Sequence, residues 1–204
     1  MKNLAYDQFY CEHIYIFSTL SLKKILDPMG LEIFDIENLK THGGSNRYYI
    51  KKKKNFNFKI SSRVDYNTTK EIKFGLNKIK SYKIFASRVK KSKIKLEKIF
   101  NNLIKKNKRI IGYGATAKSC TVLNYCNIDN KKIKFFYDTT SFKIGNYLPG
   151  SKIEIKEYQK LDNRKVDYVF LGAWNFKDEI FKKEKSFIKK GGKFFTHVPF
   201  PHII

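Results

Sequence analysis

The chain has 204 residues, enough for one large domain or for one ordinary domain and part of another, and its 42% hydrophobic and 16% aromatic content excludes a globally disordered polypeptide. Its net charge of +25, from 43 Lys and Arg against 18 Asp and Glu, raises nucleic acid as a partner. The excess is mostly Lys, spread along the chain and accompanied by Ile, Phe, Tyr and Asn, the pattern of AT-rich codons, which is the stronger explanation of the charge, and a phosphate-bearing small substrate fits that charge equally well.

Cys11, Cys120 and Cys126 are an odd set without a C-x-x-C pair, which argues against a disulfide framework and a cysteine zinc site. No apolar leader and no span-length apolar run is present, so the expectation is a soluble cytoplasmic protein without a membrane partner.

Residues 1–18 are dense in aromatics, Tyr6, Phe9, Tyr10, Tyr15 and Phe17, without a clear period, and read as a buried loop with short extended pieces. Thr19 to Met29 has a helical stripe of Leu22, Ile25 and Leu26, capped by Ser21 or Thr19 and stopped by Gly30. Leu31 to Ile36 alternates as a strand, a turn follows at His42-Gly43-Gly44-Ser45, and Arg47 to Ile50 is a second strand. Lys51 to Asn67 reads as a linker and Thr68 to Asn107 as a long helical pattern.

From Arg109 strands and helices alternate. The strand Arg109 to Ile111 enters Gly112-Tyr113-Gly114-Ala115-Thr116-Ala117-Lys118, and a helix follows. Ile133 to Tyr137, Val166 to Leu171 and Lys193 to Val198 are further strands, with a helix over Asp178 to Lys190 closed by Gly191-Gly192. This is the pattern of an α/β fold with a mostly parallel, Rossmann-like sheet.

Four segments can carry chemistry. The turn Gly112 to Lys118 matches G-x-G-x-x-G with Ala117 in the third place, and Asp138 ends the next strand. Either it holds the phosphates of a nucleotide at a helix N-terminus, or it is a tight packing turn. Glu12 and His13, among aromatics including Tyr10, are either an acid–base centre or a satisfied core histidine. His42 to Ser45 is either a close approach to a ligand or a hairpin turn. Trp174 and Asn175 follow a strand, where ligands sit in open α/β sheets, and either line that crevice or plug it.

Taken in order, Tyr6-Asp7-Gln8-Phe9-Tyr10-x-Glu12-His13, Thr41 to Ser45, Gly112 to Lys118, Leu123 to Cys126, Pro149-Gly150 and Ala173 to Phe176 resemble the C-terminal half of nucleotide-sugar C-methyltransferases, from about Tyr6 to Pro199. The resemblance implies an S-adenosylmethionine-dependent enzyme that methylates a ring carbon beside the keto group of a nucleotide-linked deoxysugar. In its plan, residues 1–54 are the tail of a methyltransferase domain, 55–108 a linker and helical segment, and 109–204 a Rossmann-like nucleotide-sugar domain. It implies His13 as base, with Glu12 and Tyr10 orienting it or the substrate. It also implies a sugar-nucleotide site using His42, Gly43, Gly44, Ser45, Gly112, Gly114, Ala115, Lys118, Asp138, Trp174 and Asn175, and no metal ligand. The family usually has His where Cys11 stands, and a thiol is a poor donor. No cysteine cluster and no glycine-rich donor turn precede Tyr6, so the expectation is that this chain alone binds neither zinc nor S-adenosylmethionine and is inactive alone, being a split-gene product, a truncated relic or half of an enzyme completed by a second chain that carries those parts. The rival readings are a non-catalytic nucleotide-sugar-binding or interaction module and a basic nucleic-acid-binding protein.

Overall fold

A computed structural model describes residues 1–39 and 41–204, and the chain forms two compact units, Tyr15–Ala86 and Met1–Ile14 with Ser87–Ile204. In Tyr15–Ala86, helix α1 (Thr19–Leu26) is capped by Ser18, whose side chain accepts the Ser21 amide while Ser21 returns a bond to the Ser18 main chain. The Glu71 carboxylate takes the next two amides, of Thr19 and Leu20, at 2.8 and 2.9 Å, so the first turn of α1 is closed from within its own unit. A 3-10 turn ends at Gly30 in the left-handed conformation.

Strands β1 (Leu31–Leu39) and β2 (Ser45–Lys52) form an antiparallel hairpin. A register shift between Ile33 and Asp35 puts Ile33 and Ile36, three apart rather than two, on the buried side. They pack with Leu26 and with Val64 of helix α2 (Ser62–Phe74). The expected linker is therefore partly helical, with Ser61 as its cap. The long helical pattern is two helices: Gly75, at φ +85°, ends α2, and α3 runs from Ile79 to Lys105. The apolar stripe continues across Gly75, which is why the interruption is hidden from periodicity. Ile14 to Phe17 is exposed, from 48 to 78%, where a buried loop is the expectation, whereas Tyr6 and Asp7 are buried.

The other unit is built on a six-stranded sheet in the order β5-β4-β3-β6-β7-β8. Its strands are β3 (Ile110–Tyr113), β4 (Phe136–Asp138), β5 (Ile155–Glu157), β6 (Tyr168–Leu171), β7 (Lys193–Thr196) and β8 (His202–Ile203). All pairings are parallel except β7 with β8. The order reverses between β3 and β6, as in doubly wound sheets, and the Rossmann-like α/β expectation is met. Alternation along each strand gives the sheet two apolar faces. Phe170 and Phe195 lie against Phe100 of α3, with ring centroids 5.8 and 5.0 Å away. Val169, Leu171 and Phe194 face the opposite way, in a core with Ile180 and Phe187 from helices α5 (Lys177–Lys183) and α6 (Lys185–Lys189). Helix α4 (Ala117–Tyr125) follows β3. Tyr6 packs edge-on to its Tyr125 at 5.6 Å, which places the turn Tyr6–Gln8 beside α4. Among the described residues no helix is long and apolar enough to cross a membrane.

Candidate functional site

The glycine-rich turn sits at the carboxyl end of β3, beside the order reversal of the sheet. Gly112 lies inside the strand, where a Cβ would fall 2.3 Å from the Phe136 ring, so its smallness serves sheet packing. Gly114 adopts φ +85°, and a Cβ there would lie 2.5 Å from that of Ala173. Thr116 caps α4 by accepting the Ser119 amide at 3.1 Å, and the Ser119 hydroxyl donates to the Gly114 carbonyl at 2.8 Å.

Asp138 is turned into this structure. Its carboxylate accepts the Ala115 amide at 2.8 Å and the Thr140 amide at 2.9 Å. Burial works to raise its pKa, but the Thr140 hydrogen bonds, the Lys143 ammonium and the Ala115 amide together hold it below the usual carboxylate range. Lys143 lies 3.7 Å from Asp138 and donates to the Ala115 carbonyl at 3.0 Å. A cavity of about 320 Å³ opens over Gly114 and Asp138, walled by Tyr113, Tyr137 and Tyr158 and edged by Lys143 and Lys183. The Lys183 ammonium stands 3.4 Å over the Tyr158 ring. Tyr158 donates to the buried Glu184 carboxylate at 2.7 Å, which fixes the aromatic wall.

The aromatic N-terminal segment belongs to the same unit. Nδ1 of His13 lies 2.8 Å from the Gln8 carbonyl oxygen, and Nε2 lies 2.8 Å from the Tyr10 hydroxyl. A carbonyl only accepts, so Nδ1 carries the proton and, in the neutral ring, Nε2 accepts from Tyr10. Burial, followed by the Glu12 and Asp7 charges, raises the Tyr10 pKa. The Glu12 carboxylate accepts the Cys11 thiol at 3.0 Å, while the Gln8 main-chain carbonyl meets His13 Nδ1. That thiol contact is the first cause of a lowered Glu12 pKa and a raised Cys11 pKa.

Lys118, Trp174 and Asn175 are brought together and do not line the cavity over Gly114. The Lys118 ammonium is 3.4 Å from the Asn175 side-chain oxygen and 5.5 Å from the Trp174 ring centroid. Burial lowers the Lys118 pKa against an opposing pull from Asp7. Two residues that sequence patterns did not single out complete this cluster. Asp7 and His197 are fully buried, the Trp174 indole donates to Asp7 Oδ2 at 2.5 Å, and His197 Nε2 lies 3.2 Å from the same oxygen without hydrogen-bond alignment. The available signals were an acid inside an aromatic run and a histidine at the end of an apolar strand.

The turn Thr41–Gly43 with Gly44 and Ser45 lies in the other unit and joins β1 to β2. Gly43 and Gly44 have φ of +83° and +119°, values that favour glycine, and Ser45 donates to the Thr41 carbonyl at 3.2 Å. The side chain of His42 lies outside the described residues, as does Lys40. Among the described residues no group of three His, Cys, Asp or Glu could hold a metal ion.

Comparison with known proteins agrees with this architecture. Residues 40–199 match the family described as the C-methyltransferase C-terminal domain. The chain is also 30% identical, over all 204 residues, to the C-methyltransferase NovU of Streptomyces niveus, and spans 48% of that protein's length.

Proposed function

We propose, since this chain belongs to the C-methyltransferase family, that it is the sugar-binding and proton-abstracting half of an S-adenosylmethionine-dependent enzyme acting on a nucleotide-linked keto-deoxysugar. The observation that carries the reading is the His13 arrangement. An imidazole whose Nδ1 proton is held by a main-chain carbonyl presents the Nε2 lone pair as a base.

In the resting chain Tyr10 occupies that lone pair. A bound keto-sugar takes the phenol's place, and His13 Nε2 removes the proton from the carbon beside the keto group. The C–H electron pair passes into the enolate, and the displaced Tyr10 hydroxyl donates to the enolate oxygen. S-adenosylmethionine, by resemblance, would supply the methyl group to the enolate carbon, the S–CH3 bond breaking and S-adenosylhomocysteine leaving with its electron pair. Among the described residues no second glycine-rich strand-to-helix turn fits that donor, so parts on the same or a second chain hold it in this reading.

The cavity over Gly114 takes the nucleotide. Lys143 and Lys183 suit the diphosphate, and Tyr113, Tyr137 and Tyr158 offer faces for the base. Asp138, with amides on both oxygens, shapes the turn rather than binding the ribose. Lys118, Trp174 and Asn175 act behind the site.

Calorimetric titration with thymidine diphosphate and with its keto-sugar tests the reading. Saturable binding that Lys143→Ala weakens at least tenfold supports it. A folded chain that gives no heat with either ligand overturns it.

A further inference from the structure

The buried Asp7 lies outside the chemistry just described, yet it belongs to the turn Tyr6–Gln8 that immediately precedes Tyr10 and His13. A fully buried carboxylate is retained only where donors and counter-charges meet it. Here the Trp174 indole after β6 donates to it, the charge of Lys118 from the first turn of α4 acts on it, and His197 at the end of β7 lies 3.2 Å away. All of them follow the carboxyl ends of parallel strands. Asp7 therefore ties the N-terminal segment to the crevice edge of the sheet. One residue on, the Gln8 carbonyl meets His13 Nδ1. The segment has a second tie, from the Thr121 hydroxyl to the Phe9 carbonyl at 3.2 Å.

We propose that Asp7 is a positioning residue for His13: held by Trp174 and flanked by His197, it orients the turn whose Gln8 carbonyl fixes the protonated nitrogen of the His13 ring. Lys118 links the helix of the glycine-rich turn to the same node, so the nucleotide crevice and the base are set by one cluster. The role rests on His13 being the base. The tautomer itself does not, and it can be observed without turnover.

The chain has four histidines, so ring nitrogen spectra of the ¹⁵N-labelled full chain are tractable, and His13→Gln assigns the His13 signals. The wild-type ring is expected to carry its neutral-state proton on Nδ1. In Asp7→Asn that single-tautomer pattern is lost, with the proton shared between Nδ1 and Nε2, while amide dispersion and the thermal transition still report a folded chain. A folded Asp7→Asn whose His13 ring signals overlay the wild type at every pH overturns the proposal. If Asp7→Asn does not fold, Trp174→Phe removes only the indole donor and keeps the ring. The same tautomer change is expected there, and an unchanged His13 in that folded variant is equally fatal. A structural role alone would shift the melting temperature and leave the tautomer untouched. Turnover that survives His13→Gln in the completed enzyme removes the base assignment and leaves the tautomer result standing.

Discussion

Gly114 and Ala173 meet where β3 and β6 end, so closely that a Cβ on the glycine would lie 2.5 Å from the alanine Cβ and 3.1 Å from its amide nitrogen. The floor of the candidate nucleotide cavity is thus a packing contact between two adjacent parallel strands.

Gly114→Ala is expected to destabilise by at least ~2 kcal/mol, from the left-handed backbone and the overlap together. Gly145→Ala is the control, with φ +81° but open space around the new methyl, and should cost only about 1 kcal/mol. Denaturant midpoints of the two variants measure the difference. Equal midpoints would show that the strand ends can part without loss.

Asp138→Asn should lower stability by about 1–3 kcal/mol, because an amide replaces a charged acceptor of the Ala115 and Thr140 amides. The folded carboxyl lies below its usual range, so its contribution is present above the unfolded pKa near ~3.9 and is lost as pH falls through the folded value. Unfolding free energy followed from pH 7 to the acid limb should therefore fall less steeply in the variant. Parallel curves would remove Asp138 from the acid transition.

Tyr158→Phe removes the donor to buried Glu184 and keeps the ring. A stability loss of about 1–3 kcal/mol is expected, with thymidine diphosphate affinity unchanged. Tyr158→Ala should weaken that affinity as well, since it removes the face a base would stack on. Calorimetry on both variants separates wall-fixing from stacking.

The exposed Cys11 thiol donates to Glu12, which raises its pKa and leaves little thiolate at neutral pH. Alkylation of native Cys11 should be slower than that of a free cysteine, and Glu12→Gln should accelerate it several-fold. Cys126, buried and pushed up to about 11, should stay unmodified until the chain unfolds. Mass spectrometry of timed alkylation reads all three rates.

His13→Gln should lower turnover of the completed enzyme by about 10²- to 10⁴-fold, the usual contribution of a positioned base, with little change in nucleotide affinity. A fall in affinity alone would assign His13 to binding.

The parallel sheet was legible because its strands are short apolar runs between glycine turns, and Val166 to Leu171 and Lys193 to Val198 locate β6 and β7 to within two residues at each end. The glycine turn was legible too, because a strand, two glycines and a helix are local features. Gly75 was readable in principle, but a helical stripe continuing on both sides outweighed a single glycine. The cap at Ser61 was lost within a lysine-rich stretch that has little apolar period. For His13 the residue type suggested a base, whereas its tautomer depends on a main-chain carbonyl that no side-chain pattern reveals. Asp7 and His197 each look like an isolated polar residue, and only the closing of the sheet makes them a pair.

The bond between Asp7 and Trp174 spans 167 residues, so its two halves leave the ribosome far apart in time. At roughly 5–20 residues per second, the indole follows the carboxylate by about ten to thirty seconds. Throughout that interval the Asp7 carboxylate is without the indole that holds it in the folded chain. Assembly of this centre therefore waits on the synthesis of Trp174, and a ribosome that stops before Trp174 releases a product without it.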